Sequence, residues 1–110
     1  MEIRDDGMEL RKENVIARFG RKHPDAAGWL KNWVEVTRGA SWQTIQDVKS
    51  AFPAVDGGVK VASGGTVTVF DVSGNKYRMI ASISYELQAV VVWELLTHAE
   101  YSKNLWKERY

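Results

Sequence analysis

The sequence lacks cysteine altogether and has only two prolines among its 110 residues. Without cysteine, neither a disulfide framework nor a zinc site built from thiolates is possible. No apolar run approaches the roughly 20 residues that a membrane-spanning helix needs. Residues 1–7 also lack the apolar stretch of a secretory signal. We therefore expect a soluble protein of the cytoplasm.

An excess of charge of one sign is also missing, because the formal net charge at pH 7 is only +1. Proteins that capture free nucleic acid by long-range attraction are usually strongly basic. An RNA site in this chain must therefore be a local group of cations. The candidates are Arg18, Arg21, Lys22, Lys76, Arg78, Lys103, Lys107 and Arg109. A solvated surface without function would carry similar groups of cations.

Aromatic side chains, in contrast, are plentiful: five Trp, four Tyr and three Phe, in a chain that is 45% hydrophobic. Such side chains bury a large area each, and a chain of this length suits one compact domain with a modest core. We expect residues 1–7 to be an N-terminal extension and residues 8–110 to be a single domain.

The first half of the sequence predicts helices. Val15, Ile16 and Phe19 indicate one or two amphipathic turns before Gly20. Pro24 suits the first position of a second helix, and Gly39 suits its end. The predicted inward face of that helix consists of Ala26, Leu30, Trp33, Val34 and Thr37. A third, short helix is predicted because Thr44 and Asp47 have the spacing of a capping box, with Pro53 ending it.

The second half predicts strands. A β-branched run at residues 66–72, turn residues at 73–75 and alternation over 76–85 indicate a hairpin. The apolar run at residues 89–96 is typical of a central strand. The glycine-rich stretch 54–65 fits either a flexible loop or a weak edge strand. Helices packed on a small, mainly antiparallel sheet make an α+β fold.

Two groups of residues have side chains suited to RNA chemistry. Lys76 and Arg78 share a face of the predicted second hairpin strand with Ile80 and Ser82, and we expect that face to be exposed. Residues at i and i+2 are about 6.5–7 Å apart, which suits two neighbouring phosphates. A solvent-facing pair would have the same spacing.

The second group follows the third predicted strand, where His98, Glu100 and Tyr101 lie close together in sequence. An imidazole exchanges protons near neutral pH, and a phenol can donate a hydrogen bond. A purely structural histidine would fit the same pattern. His23 precedes Pro24, where helix entry or packing is its expected role. No HExxH spacing, P-loop or Gly-x-Ser-x-Gly elbow is present, so the sequence predicts no metal site and no nucleotide triphosphate site.

Several segments taken together resemble the HigB-type toxin family of type II toxin–antitoxin systems, within the RelE-like mRNA interferases. The resemblance covers roughly residues 8 to 103. Its most specific part is Gly-Asn-Lys-Tyr-Arg at residues 74–78, followed by Thr-His-Ala-Glu-Tyr at residues 97–101. The other matching segments are residues 22–26, Leu30, Trp33, Trp42, residues 47–49, residues 51–53 and residues 69–72.

The resemblance implies a RelE-like fold, in which N-terminal helices pack on a twisted, mainly antiparallel sheet. It also implies ribosome-dependent cleavage of mRNA without a metal or other cofactor, and a HigA-like helix-turn-helix antitoxin as partner. The expected catalytic residues are Lys76, Arg78, His98 and Tyr101. The expected RNA-binding residues are Lys22, His23, Lys60, Asn75, Glu100 and Lys103. This chain departs from the family in residues 1–7, which precede the usual start, and in its glycine-rich loop at residues 56–65.

The chemistry needs few groups, because RNA supplies its own nucleophile, the 2′-hydroxyl. We expect Lys76 and Arg78 to contact the scissile phosphate and His98 to transfer a proton. Tyr101 can stack a base or orient a phosphate, and Glu100 can orient His98. Two alternatives remain at this stage. One is a toxin of the same fold with a non-ribosomal target, such as gyrase for the ParE-type relatives, and the other is a non-catalytic interaction module.

Overall fold

The computed structural model describes residues 7–110. The expected N-terminal extension therefore lies outside the described residues, except for Gly7. The helices and strands, in chain order, are β1 (Glu9–Arg11), α1 (Glu13–Lys22), α2 (Pro24–Gly39), α3 (Ile45–Ala51), β2 (Asp56–Lys60), β3 (Thr66–Val72), β4 (Tyr77–Ser84), β5 (Ala89–Thr97), α4 (His98–Ser102) and a C-terminal 3-10 helix (Leu105–Arg109).

The five strands form one sheet in the order β1-β5-β4-β3-β2. Only β1 and β5 run parallel, and the other neighbours pair antiparallel. The predicted α+β fold is confirmed. The stretch that fitted either a loop or an edge strand contains the edge strand β2, which pairs with β3.

The predicted local signals account for the helices. Pro24 and Asp25 occupy the first turn of α2. Helix α3 begins after Thr44, whose backbone N–H donates to the Asp47 carboxylate at 3.3 Å, so the predicted capping box is present. No helix among residues 7–110 is long and apolar enough to cross a membrane.

The sheet has two covered faces, and three helices cover the first, which we call the helical face. The main core lies there. It includes Ala26, Leu30, Trp33, Trp42, Val48, Phe70, Val72, Met79, Ala81, Val90, Val92 and Leu95. Aromatic rings join its layers, since Trp33 and Phe52 each make an edge-on contact with Phe70. All but one of the predicted inward residues of α2 are buried, and Val34 is only partly buried.

The second face, which we call the C-terminal face, is covered by the end of the chain. Its buried residues are Val67, Val69, Ile80, Leu96 and Trp106. The backbone N–H groups of Ala62 and Ser63 donate to the carbonyls of Lys107 and Tyr110, which ties the segment between β2 and β3 to the chain end. The C-terminal residues 105–110 therefore belong to the cover of this face of the sheet.

Candidate active site

Arg78 is held at the edge of the C-terminal face. It lies in β4, opposite Asp71 of β3 and Leu96 of β5. Its side chain is only 11% exposed, and its Nε forms an ion pair of 3.1 Å with Asp71. Its other nitrogens donate to the Tyr77 carbonyl, at 3.1 Å, and to the Asn75 side chain. The guanidinium is thus fixed in position by three partners.

The prediction that Lys76, Arg78 and Ile80 share a solvent-exposed face was wrong. Ile80 is fully buried, and Arg78 is nearly so, because Trp106 and its neighbours pack over this side of the sheet. The acid that binds Arg78 is not internal, however, since the Asp71 side chain is 32% exposed. The Arg78–Asp71 pair therefore lies at the border between the covered face and solvent.

The Tyr101 ring is a further contact of the Arg78 side chain. The guanidinium carbon lies 5.4 Å from the centre of the Tyr101 ring, within the range of a cation–π contact. The ring stacks on Trp106, with centroids 5.3 Å apart, and Trp106 donates its indole N–H to the Tyr101 carbonyl. Partial burial raises the pKa of the Tyr101 phenol, so this group is a proton donor and not an anion at neutral pH.

Lys76 points to the helical face of the sheet, whereas it was expected to share a face with Arg78. It precedes β4 and belongs to the turn, and its Nζ lies 3.2 Å from the carboxylate of Asp25 in the first turn of α2. The Tyr77 hydroxyl donates to the same carboxylate at 2.8 Å. Hydrogen bonding from Tyr77 is the largest cause of the lowered pKa of Asp25, and it raises the pKa of Tyr77.

His23 lies beside this group in an aromatic stack. Its ring is 4.2 Å from that of Phe19 and 5.0 Å from that of Tyr77, between the end of α1 and the start of α2. These contacts fit the packing role that the sequence indicated. His23 also contributes to the lowered pKa of Glu100, so the two side chains interact electrostatically.

His98 is exposed at the first position of α4. Its backbone N–H donates to the carbonyl of Lys76 at 3.0 Å, which fixes the start of α4 beside the turn that carries Lys76. The Nδ1 of its ring lies 3.5 Å from the Ser102 hydroxyl, one helical turn later. The imidazole is therefore accessible to a substrate.

Glu100 was expected to orient His98, but its carboxylate caps α4. Within residues 7–110, no hydrogen bond joins that carboxylate to the His98 ring. Its carboxylate accepts from the backbone N–H of Thr97 at 2.9 Å, while the Thr97 hydroxyl accepts from the Glu100 backbone N–H. The bond from the Thr97 backbone is the largest cause of the lowered pKa of Glu100. Glu100 therefore positions His98 indirectly, by fixing the helix start.

The expected site residues fall into two groups. The compact group consists of Asn75, Lys76, Arg78, His98 and Tyr101, and the outer group consists of Lys22, His23, Lys60, Glu100 and Lys103. Arg78, Asn75 and Tyr101 are in direct contact, and a backbone hydrogen bond joins His98 to Lys76. Lys103, at the end of α4, is close enough to Glu100 to lower its pKa. Within residues 7–110, no hydrogen bond, ion pair or ring contact links Lys22 at the end of α1, or Lys60 at the end of β2, to this group.

Sequence reasoning missed two carboxylates that hold the site cations, Asp25 with Lys76 and Asp71 with Arg78. Both belong to the segments that carry the family resemblance. The sequence signal for them is a carboxylate in each of two segments that carry the resemblance. Asp71 also lies opposite Arg78 across the predicted hairpin.

A metal site is not among the features of the described chain. No group of three or more His, Asp or Glu side chains in residues 7–110 is arranged to hold a metal ion. What the geometry offers is a fixed guanidinium, an ammonium, an accessible imidazole and a protonated phenol around one end of the sheet. These groups can bind a phosphodiester and exchange protons with it.

Two comparisons with known proteins bear on this arrangement. The model of a family described as HigB_toxin, RelE-like toxic component of a toxin-antitoxin system, matches residues 26–104. The chain is also 31% identical over 96 residues to the mRNA interferase HigB of Escherichia coli O6:H1 (strain CFT073), an alignment that covers 87% of this chain and 90% of the relative. The range that the family model matches includes all the residues of the compact group.

Proposed function

Because the chain belongs to the HigB family of RelE-like toxins, we propose that it is an endoribonuclease that cleaves mRNA while it is being translated. It acts in the cytoplasm, and residues 8–110 form the toxin domain. The observation that carries the proposal is the compact group of Asn75, Lys76, Arg78, His98 and Tyr101 at one end of the sheet, within the range that the family model matches.

The reaction needs no metal, because the 2′-hydroxyl of the nucleotide before the cut attacks the adjacent phosphorus. The protein aligns this hydroxyl with the leaving 5′-oxygen and moves two protons. His98 is the acid or base, since its imidazole is exposed and one ring nitrogen can accept a proton while the other donates one. Such a group contributes on the order of 10²–10⁴-fold to the rate.

Lys76 and Arg78 stabilise the extra negative charge on the phosphate. An ammonium has three N–H donors and a guanidinium five, so each cation keeps donors for a substrate beyond its present partners. A fixed cation aimed at developing charge can lower a barrier by about 2–4 kcal/mol. Asp25 and Asp71 hold these cations in place before RNA binds.

Tyr101 donates a hydrogen bond to the phosphate or stacks a base, and its raised pKa keeps it protonated for the first role. The outer group supplies further contacts to the RNA backbone. Of these residues, Lys22, Lys60 and Lys103 contribute exposed ammonium groups, while His23 and Glu100 support the compact group from its border. Asn75 lies within the compact group and holds the Arg78 guanidinium.

The low net charge supports dependence on the ribosome. A chain with a net charge of +1 has little long-range attraction for free RNA. The ribosome holds the message in place and removes that need. We expect purified protein to cut naked RNA poorly and translated RNA well, and equal cleavage of the two would contradict ribosome dependence.

A HigA-like helix-turn-helix antitoxin neutralises the enzyme. Membership of a toxin–antitoxin family is the support for such a partner. Binding of the antitoxin either covers the compact group or prevents entry to the ribosome.

Growth assays with single substitutions test the nuclease proposal. Arg78→Ala and His98→Ala should each relieve the growth arrest caused by expression of the protein, while circular dichroism shows that the fold is kept. Lys31→Ala, an exposed cation on α2, is the matched control and should leave toxicity unchanged. Full toxicity of both site variants would contradict the proposal.

The ion pair of Arg78 with Asp71 favours one rival, in which Arg78 is purely structural and the surface binds a partner without catalysis. The two readings differ for His98, whose ring makes no hydrogen bond within residues 7–110 other than the contact with Ser102. Loss of RNA cleavage in His98→Ala, with binding of antitoxin unchanged, would rule out the non-catalytic module.

A further inference from the structure

A groove of about 630 Å³ lies beside the compact group, between α2, the connection from α3 to β2, and the turn from β3 to β4. This volume is within the range of pockets that hold small ligands. The residues that line it and matter here are Trp29, Asn32, Phe52, Val55, Asp71 and Asn75. Of the residues expected to act in catalysis or RNA binding, Asn75 is the one that lines this groove.

The lining favours a flat, uncharged ring over a phosphate. Among the described residues 7–110, no lysine or arginine lines the groove, and the one charged lining residue is Asp71, whose carboxylate repels anions. The indole of Trp29 is half-buried and rests against Phe52, with ring centroids 5.7 Å apart. A partly exposed indole is a stacking platform for a nucleobase.

Polar groups at the groove can read the edge of such a ring. The Asn32 amide is exposed and makes no hydrogen bond through its side chain within residues 7–110. The pairing of β2 with β3 ends at Asp56 and Val69. Among the described strands, none therefore pairs with residues 70–72 of β3 on the β2 side. Amide and carboxylate groups recognise bases by donating to ring nitrogens and accepting from amino groups.

The groove is continuous with the proposed phosphate site. Asn75 lines the groove and accepts a hydrogen bond from Arg78, and Asp71 lines it while paired with Arg78. Lys76 follows Asn75 directly in the chain. A phosphate held by Arg78 would therefore leave the neighbouring nucleotide at the mouth of the groove.

We propose that this groove binds an RNA base next to the scissile phosphate, stacked on Trp29, and that it prefers a base carrying an exocyclic amino group. The preference follows from Asp71, an acceptor that matches an amino group and opposes a carbonyl oxygen. This inference rests on the proposed nuclease function, and it names the part of the substrate that the protein itself reads.

Nuclear magnetic resonance titration of the whole protein tests binding without any need for catalysis. The probes are cytidine and uridine 5′-monophosphate, whose bases differ in carrying an amino group or a carbonyl oxygen at the same ring position. We expect cytidine monophosphate to shift the amide signals of residues 51–55 and 74–75 and the indole signal of Trp29. Uridine monophosphate should bind about tenfold more weakly. Equal binding of the two would overturn the amino preference.

Two variants and a matched control locate the binding. Asn32→Ala changes an exposed side chain and should weaken cytidine monophosphate binding severalfold without affecting the fold, and Trp29→Leu should weaken it further. Trp93→Leu removes another tryptophan, 36% exposed and outside the groove, and should leave binding unchanged. Shifts that persist in Trp29→Leu, or that appear only when an antitoxin is added, would overturn the nucleobase proposal.

Cleavage mapping separates failure of this inference from failure of the nuclease function. Under the proposal, Asn32→Ala still cuts translated mRNA, but with a changed base preference beside the cut. Cleavage with an unchanged preference would leave the nuclease intact and reject the groove. Nucleotide binding by a protein without cleavage activity would support the groove as a base site and reject the nuclease function.

Discussion

The two faces of the sheet are covered in different ways. The helical face is covered by α1, α2 and α3, and its core is mainly apolar, with Thr37 of α2 also buried. The C-terminal face is covered by a five-residue 3-10 helix and its neighbours, and charged groups lie at its border. There Asp71 pairs with Arg78, and Glu94 accepts from Arg109 and Tyr110.

The difference teaches where this fold can hold reactive groups. A guanidinium cannot be placed in the helical core without a large desolvation cost. At the border of a thin cover it can be fixed by a carboxylate and an aromatic ring while solvent remains within reach. We infer that the helical face supplies most of the stability and that the C-terminal face supplies the alignment of Arg78 and Tyr101.

The largest expected effect is on the helical face. Trp33 is fully buried in α2 and packs on Phe70. Trp33→Ala should lower the free energy of unfolding by about 3–5 kcal/mol, because it removes a large side chain that the core cannot refill. Urea denaturation measures this loss. A loss below about 1 kcal/mol would show that the helical core is not the main source of stability.

The matching change on the other face is Trp106→Ala. We expect a smaller loss of about 2–3 kcal/mol, because the thin cover can relax into the space. Cleavage should fall by more than the unfolded fraction explains, since Trp106 supports the Tyr101 ring. Leu105→Ala, at a position 68% exposed, is the control and should alter neither quantity. Activity that simply follows the folded fraction of Trp106→Ala would contradict a positioning role for this face.

A third change keeps charge and removes geometry. Arg78→Lys retains a cation but cannot bond Asp71, Asn75 and the Tyr77 carbonyl together, since an ammonium lacks the planar fork. We expect a loss of about 1–2 kcal/mol in stability and of about 10² in cleavage rate. Arg109→Lys, which changes the other ion pair of this face, should keep nearly full activity. Wild-type activity of Arg78→Lys would mean that any cation suffices.

The smallest expected effect is on the pH dependence of stability. The pKa of Asp25 is lowered in the folded protein, chiefly by the Tyr77 hydrogen bond. Its stabilising contribution is therefore present above the ordinary carboxyl pKa near 3.8 and is lost as the pH falls through the lower folded value. The difference in melting temperature between Asp25→Asn and the unchanged protein should be largest at pH 6 and should shrink as the pH falls below the ordinary carboxyl value of 3.8. A constant difference over that range would argue against the bond.

Much of the fold could be predicted because its signals are local. The inward spacing of Leu30 and Trp33, the Thr44–Asp47 capping box and the turn at residues 73–75 each act over a few residues. The compact group was likewise predicted from two short segments that resemble a known family.

The cover of the C-terminal face could not be predicted in this way. Burial of Ile80 depends on Trp106, far along the chain, and no local pattern indicates that contact. The side of Lys76 was mistaken because alternation was extended into the turn, whereas β4 begins at Tyr77. The pairing of Lys76 with Asp25 joins residues 51 positions apart, which spacing alone does not reveal.

Mapping the 5′ ends of cellular mRNAs after brief expression tests the central claim most directly. If the protein cuts translated mRNA through His98, the unchanged protein should produce new ends within translated regions, in phase with codons. His98→Ala at equal protein level should produce none. New ends spread evenly over translated and untranslated RNA, or ends that persist in His98→Ala, would contradict it.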